Sequence, residues 1–255
     1  MTDAHCHVSC GDSSVRELLI GRDFFGIHPW ETLPDPTPTL IDPTPTLIDS
    51  TTTLVDPNLQ EHLASLRSKL LANPAAGVGE IGFDRLKVRD IPPLMREVFE
   101  AQLALALELR RPVVLHGAKC WGRVVEAIKV QSAFAAKPLV PLRGKAALVQ
   151  GVEAPGTRFL FHGFSRSDGL IPEIVKLNGF ISIGPAVLND HAVNYRALVK
   201  KIPLDRLLVE TDRTSSLGSP SIFDVLTKTA DIRNLPVAEL ERTTDENADR
   251  FLGVV

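Results

Sequence analysis

The chain is punctuated by short apolar runs that each end on an ionisable side chain. Runs of this length, bounded by turn residues, read as buried β-strands rather than helices. In order, they lead to His5 and His7 in Asp3-Ala4-His5-Cys6-His7, to His28 after Phe24-Phe25-Gly26-Ile27, and to Glu80 after Gly77-Val78-Gly79. They continue to His116 after Pro112-Val113-Val114-Leu115, to His162 after Arg158-Phe159-Leu160-Phe161, and to Asp212 after Leu207-Leu208-Val209-Glu210-Thr211. One more strand is predicted over 179–183. Patterns of helical period lie between the runs. Leu59, Leu63, Leu66 and Leu70 follow Asp56-Pro57, a capping residue with proline at the first helical position. Val98, Phe99, Leu103 and Leu107 mark one face of a helix over 94–111, which Pro112 stops. Shorter helices are predicted over 121–129 and 195–201, and two closing helices over 237–242 and 245–252, with Gly253 as their stop. The stretch 131–155 lacks a pattern and reads as irregular.

Strands alternating with helices imply an α/β fold with a parallel sheet. Ionisable groups at the C-terminal ends of successive strands point to a TIM-type (β/α) barrel with its site at that face. One segment stands apart. Residues 35–55 hold three tandem units of seven, Asp-Pro-Thr-Pro-Thr-Leu-Ile twice and then Asp-Ser-Thr-Thr-Thr-Leu-Val. Prolines at two positions of seven forbid a continuous helix, and three short copies cannot stack a solenoid core. The segment is therefore expected to be an extended loop inserted into a single barrel domain spanning 1–255.

Composition narrows the function classes. A length of 255 residues, 44% hydrophobic and 23% charged, describes an ordinary globular protein, and a net charge of −3 argues against a passive nucleic-acid binder with a basic surface. A nuclease stays open, because bound cations and a few local bases can supply positive field. Three cysteines suit a reducing compartment better than a disulfide framework. No apolar run is long enough to span a membrane and no secretory signal is visible, so cytoplasm or nucleus is expected.

Placing a metal-ligand type at so many strand ends is unfavourable unless the groups converge on positive charge. His5 and His7 lie two apart on a strand and so share a face, with Cys6 turned the other way. Glu80 offers two oxygens and could bridge two cations, with His116 and His162 on one and Asp212 on the other. Mixed nitrogen and oxygen ligation suits zinc or manganese, or magnesium where water and phosphate complete the shell. Water near such ions becomes acidic enough to serve as a nucleophile, and Asp212 is placed to accept its proton.

Asp3-Ala4-His5-Cys6-His7, Gly26-Ile27-His28-Pro29-Trp30, Gly79-Glu80-Ile81-Gly82-Phe83-Asp84, Arg111-Pro112-Val113-Val114-Leu115-His116, Phe161-His162-Gly163-Phe164-Ser165 and Val209-Glu210-Thr211-Asp212 together resemble the motif series of the TatD family. So does the ending Asn247-Ala248-Asp249-Arg250-Phe251-Leu252-Gly253. The resemblance covers nearly the whole chain. It implies a TIM-barrel hydrolase of the amidohydrolase superfamily holding two divalent ions (magnesium, zinc or manganese), typically a DNase with 3′ exonuclease action. It assigns His5, His7 and Asp212 to one ion, His116 and His162 to the other, and Glu80 to both. His28 is implied near the scissile phosphate, its alternative being a strand-end imidazole stacked on Trp30. Arg85 and Gly117-Ala118-Lys119 resemble a eukaryotic, fungal-type branch.

The chain departs from the family in two places. A further strand and helix normally separate the His-x-His strand from the His-Pro strand, and only 8–27 are available here; 15–21 could form a helix or a strand but hardly both, so one βα unit is expected to be missing or badly compressed. The final Asp is normally followed by a small residue and proline, where this chain has Arg213-Thr214-Ser215. Arg85, Lys119 and Arg213 are candidate substrate contacts, with Lys87, Arg123 and Arg166 also near the expected mouth. Trp30 and Trp121 could stack bases or be buried, and Cys120 reads as a packing residue. DNA is the expected substrate. Two other readings remain: an amidohydrolase acting on an amide, ester or lactone, and a weakly active or non-catalytic interaction protein docking through 35–55.

Overall fold

Eight strands and seven α-helices alternate along the residues that the computed structural model describes, which are 1–33, 59–135, 156–215 and 218–254. The strands are β1 (Thr2–Cys6), β2 (Arg16–Leu19), β3 (Phe24–Phe25), β4 (Gly77–Asp84), β5 (Val113–Ala118), β6 (Phe159–Phe161), β7 (Gly179–Ile183) and β8 (Leu207–Val209). The helices are α1 (Leu59–Ala72), α2 (Pro93–Leu109), α3 (Trp121–Ala135), α4 (Ile171–Lys176), α5 (Val193–Lys201), α6 (Ile222–Arg233) and α7 (Val237–Leu252). The cap expected at Asp56-Pro57 and the repeat at 35–55, with the docking role considered for it, lie outside the described residues. No helix among the described residues is long and apolar enough to cross a membrane.

Every ladder is parallel, with β3 to β8 paired in chain order and β1 paired to β2. Two seams join these sheets into a TIM-type barrel. Ile20 meets Phe24 in a single parallel bridge. At the other seam the Asp212 N–H donates to the His5 carbonyl at 3.0 Å, and the N–H groups of His7 and Val8 donate to the Arg213 carbonyl at 2.8 and 3.0 Å.

Of the two expectations for this region, a missing or a compressed βα unit, the topology shows compression. The second strand is present as β2, in register with β1 from Thr2 opposite Arg16 to Cys6 opposite Leu19. What is missing are helices, since none lies between β1 and β2 or between β2 and β3. Parallel neighbours usually need a crossover of a dozen or more residues. With only residues 20–23 between them, β3 cannot run back alongside β2 and instead steps off its end, which is why a single bridge forms there.

The period of two along each strand sorts the barrel interior into layers. Val114, Leu160, Phe180 and Leu208 pack together low in the barrel with Phe24 and Leu18, and Ala248 and Phe251 of α7 close this cluster from below. Two residues further along the same strands stand His116, His162, Ser182 and Glu210. The alternate positions, such as Val113, Leu115, Phe159, Phe161, Leu207 and Val209, face the helices and belong to the larger outer core.

Two helical expectations also change. Residues 237–252 form one helix rather than two, because Thr243 and Thr244 bond back to the carbonyls of Glu239 and Glu241 and stay within the turn. Ahead of it, α6 was not anticipated, although Ser221 and Asp224 form a capping box at its start, a pattern readable in sequence. The 131–155 stretch is helical as far as Ala135.

Phe251 is fully buried and stacks on Phe24 at 5.8 Å while meeting Phe180 edge-on at 6.0 Å. Removing the plug leaves a hole that rigid strands cannot fill, so Phe251→Ala should cost about 3–5 kcal/mol of stability. Denaturant unfolding measures this, and a loss below about 1 kcal/mol would mean that α7 does not seal the barrel floor.

Candidate metal centre

Glu80, near the middle of β4, is 3% exposed and lies among imidazoles from four parts of the chain. Its Oε2 is 3.4 Å from Nε2 of both His5 and His7. Its Oε1 is 2.5 Å from Nε2 of His162, 3.6 Å from Nε2 of His28, and closer still to Nδ1 of His116. Asp212 completes the first group, with Oδ1 at 3.6 Å from His5 and 3.7 Å from His7. The six residues predicted as ligands thus meet at one place, and Glu80 divides them between its two oxygens.

These separations test whether cations fit. Two atoms each about 2.1 Å from one tetrahedral ion stand roughly 3.4 Å apart. The His5, His7, Glu80 and Asp212 atoms are spaced in that way and are too far apart to be hydrogen-bonded. Both nitrogens of His5 and Nδ1 of His162 are buried without a hydrogen-bond partner. A buried, unpaired imidazole is unfavourable by itself and is resolved by a ligand at that atom. Potential ligand groups form as His5, His7 and Glu80, as His5, His162 and Asp212, and as His28, Glu80 and His116.

Electrostatics follow from this crowding. Burial works against ionisation of Glu80, yet the surrounding imidazoles, His162 first, hold it well below the usual carboxylate range. Burial likewise opposes charge on His162, but Glu80 and Glu210 win and raise it well above its ordinary value. His116 is raised by Asp84 and Glu80 against burial, His7 is raised by Glu80, and His5, buried beside His162, is lowered. Burial raises Asp212, which stands at the mouth with its backbone in the left-handed region at φ 48°. That conformation is uncommon for a side chain larger than glycine and marks a held position.

Three carboxylates that the sequence reading left out support the cluster. Asp84 accepts from the Trp30 indole N–H at 2.7 Å and lies 2.9 Å from His116 Nε2, and these bonds hold it at about 2 against burial. Glu210 accepts from the Gly163 N–H at 2.7 Å and from the Ser182 hydroxyl, and sits 3.6 Å from His162 Nδ1. Asp3 accepts from Thr211 at 2.9 and 2.6 Å, and burial pushes it up to about 6. Carboxylates behind imidazoles fix their tautomer and orientation. Their signal was spacing: Asp3 and Glu210 each lie two residues before a predicted ligand.

The remaining expectations divide. His28 accepts from the Trp30 backbone N–H at 3.1 Å and meets the Trp30 ring edge-on at 4.9 Å, while its Nε2 lies 3.6 Å from Glu80 Oε1. Trp30 is 44% exposed, but Trp121 is buried against Phe161 and Phe164, so base stacking by Trp121 is ruled out by packing. Cys120 is buried and bonded to the carbonyls of Phe83 and Ala118, with its thiol raised to about 11 by burial, as a packing residue should be. Arg85 is exposed and bonds the Arg89 carbonyl, and Lys119 is exposed. Arg213 turns its charge toward Glu17, Cys6 and Cys10 on the β1–β2 side. Among the described residues, none of these three bases contacts the imidazole cluster.

Comparison with known proteins agrees with this geometry. Residues 21–253 match the sequence model of the TatD related DNase family, so His5 and His7 precede the matched span and enter the site by their position in the fold. The uncharacterized metal-dependent hydrolase YabD of Bacillus subtilis is 27% identical over 204 residues, covering 76% of this chain and 72% of that protein. A 3′-5′ ssDNA/RNA exonuclease TatD of Pectobacterium atrosepticum is 31% identical over 202 residues, covering 71% of this chain and 67% of its own length. The crystal structure of YJJV, a TatD homologue from Escherichia coli K12, superposes with a TM-score of 0.60 at 23% identity over 77% of this chain and 71% of that one, a likeness of fold. With a family match over most of its length and the ligand cluster at the barrel mouth, the chain belongs to the TatD family of metal-dependent hydrolases.

Proposed function

We propose that the chain is a metal-dependent phosphodiesterase that trims single-stranded DNA from a 3′ end, using two divalent cations (magnesium, zinc or manganese) held at the barrel mouth. The observation that carries this reading is the division of Glu80: one oxygen faces His5 and His7, the other His116 and His162. His5, His7, Asp212 and Glu80 would hold one ion, and His116, His162 and Glu80 the other. Bound there, such ions supply Lewis-acid charge that neutralises phosphate and makes a nearby water acidic at neutral pH.

The chain's own groups do the rest. Asp212, exposed at the mouth and raised by burial of its inner side, accepts the proton of the attacking water. His28 faces Glu80 from the opposite side and orients the phosphate, while Trp30 and Asp84 keep its neighbour His116 in place. Arg85, Lys119 and Arg213 provide a basic rim. The choice of a polynucleotide rests on relatives such as the Pectobacterium protein, a 3′-5′ ssDNA/RNA exonuclease. The affinity to a fungal-type branch rests on Arg85 and Gly117-Ala118-Lys119 alone.

Asp212→Asn tests the chemistry, because asparagine tolerates left-handed backbone and leaves the fold intact. Release of nucleotides from single-stranded DNA with metal present should fall by roughly 10²–10⁴-fold. Activity retained in that variant, with an unchanged melting temperature, would remove Asp212 as the proton acceptor.

The metal content has its own test. Glu80 and Glu210 hold His162 well above its ordinary value, which favours a proton there in the ion-free protein. The stabilisation that proton lends is complete below about 6.5 and is lost as pH rises through the raised folded value. A cation must displace it, so titration calorimetry in buffers of different ionisation enthalpy should show protons released, with two ions bound per chain. Heat independent of buffer, or a single ion, contradicts the paired centre.

A further inference from the structure

Beside Asp212 the barrel mouth opens into a cavity of about 1010 Å³, between the loops that follow β6 and β7 and the helix α5. Asp212 and Glu210 form its inner wall, and Arg166, His191, Tyr195 and Lys201 line the rest. The cavity is large for the few atoms around a scissile phosphate and adequate for a nucleotide unit.

Arg166 is the residue in this wall that needs explaining. It is exposed, and its guanidinium makes no hydrogen bond or ion pair among the described residues. Lys201, the other strong cation there, is ion-paired with Asp168, so that pair is neutral. Arg166 also sits in the left-handed backbone region, at φ 57°, four residues after His162. Three of the other non-glycine residues in that region, Arg110, Asn178 and Asn234, end or directly follow helices, where the conformation is usual. Arg166 ends no helix: it lies in the loop between β6 and α4. A strained loop residue that presents an unpaired cation to a cavity beside ionisable active-site groups has the character of a ligand contact.

We propose that this cavity receives the nucleotide adjoining the scissile linkage of a single-stranded polynucleotide, and that Arg166 holds the neighbouring phosphate. Arg166 then reads strand length, distinguishing a polynucleotide from an isolated phosphodiester. The proposal rests on the phosphodiesterase reading above and adds the strand contact to it. A planar guanidinium suits this task because it can bind phosphate oxygens in pairs.

The test compares the wild-type chain with Arg166→Ala and Arg166→Gly. Binding of a fluorescent single-stranded oligonucleotide is followed by anisotropy with metal chelated, so that turnover plays no part. Turnover of the same oligonucleotide and of bis(p-nitrophenyl) phosphate is followed with metal present. Oligonucleotide binding should weaken by roughly 5- to 10-fold in both variants, and the slope of log affinity against log salt should fall by about 0.7. KM for the oligonucleotide should rise by a similar factor at unchanged kcat, while the small diester is turned over as before. Arg166→Gly should melt no lower than wild type, since glycine adopts φ 57° without strain. A residue kept only for structure would not give weaker binding in a protein of equal or greater stability. Unchanged oligonucleotide binding in both variants, or equal losses on both substrates, overturns the strand contact while leaving the Asp212 result standing. A wild-type chain that neither binds the oligonucleotide nor cleaves either diester overturns the phosphodiesterase reading and this inference with it.

Discussion

A carboxylate buried as deeply as Glu80 is stable only where positive charge answers it, and the upper layer of the barrel is arranged to give that answer. The imidazoles around Glu80 come from β1, β5, the end of β6 and the residues after β3, segments that have no reason to meet except around this group. The carboxylates raise His162 and His116 above their ordinary values, so these imidazoles favour the charge that answers Glu80. The imidazoles are held in place from the strand walls by Asp84 beside His116 and Glu210 beside His162, while Asp3 fixes the Thr211 backbone that leads to Asp212.

Barrel closure is the second constraint, and the shortened N-terminal region shows how little of it is needed. A closed parallel barrel requires eight strands at a consistent tilt and stagger, while the helices between them cover the outer face. This chain keeps its strands and drops two coverings. The β2–β3 join is reduced to one bridge, but the β8–β1 join is made by three backbone bonds at the level of the site. Those bonds tie His5 and His7 directly to Asp212 and Arg213, so the seam that closes the barrel also brings the His5, His7 and Asp212 side chains together beside Glu80.

The polar and apolar layers of the interior are consequences of one alternation. Each of β5, β6 and β8 places an apolar side chain in the barrel floor and an ionisable one two residues later at its mouth. The floor, sealed by Phe251, supplies the stability that lets the mouth hold strained and repelling groups such as Asp212 in left-handed backbone. Loops beyond the mouth then decide what approaches, as Arg166 and Trp30 do from two sides of the opening.

Much of this was written locally in the chain. Apolar runs of strand length, each ending on His, Glu or Asp, determined the strand count around β4 to β8, the face on which the site lies and the identity of all six proposed ligands, because strand periodicity is a property of neighbouring residues. The helix α6 was equally legible from Ser221 and Asp224 and was overlooked, and the split assigned to α7 misjudged two threonines whose hydroxyls stay within the helix. Tertiary structure alone decided that 16–19 is a strand, since four residues beginning with Arg16 gain β-structure only from lying against β1. It alone decided that Trp121 is buried, that Arg213 faces Glu17, that Asp84 and Glu210 stand beside the imidazoles, and that Asp3 holds Thr211. Sequence spacing specifies which side chains share a strand face. Which faces converge, and on what, depends on contacts between residues more than two hundred positions apart, such as the bond from Thr211 to Asp3, 208 positions apart.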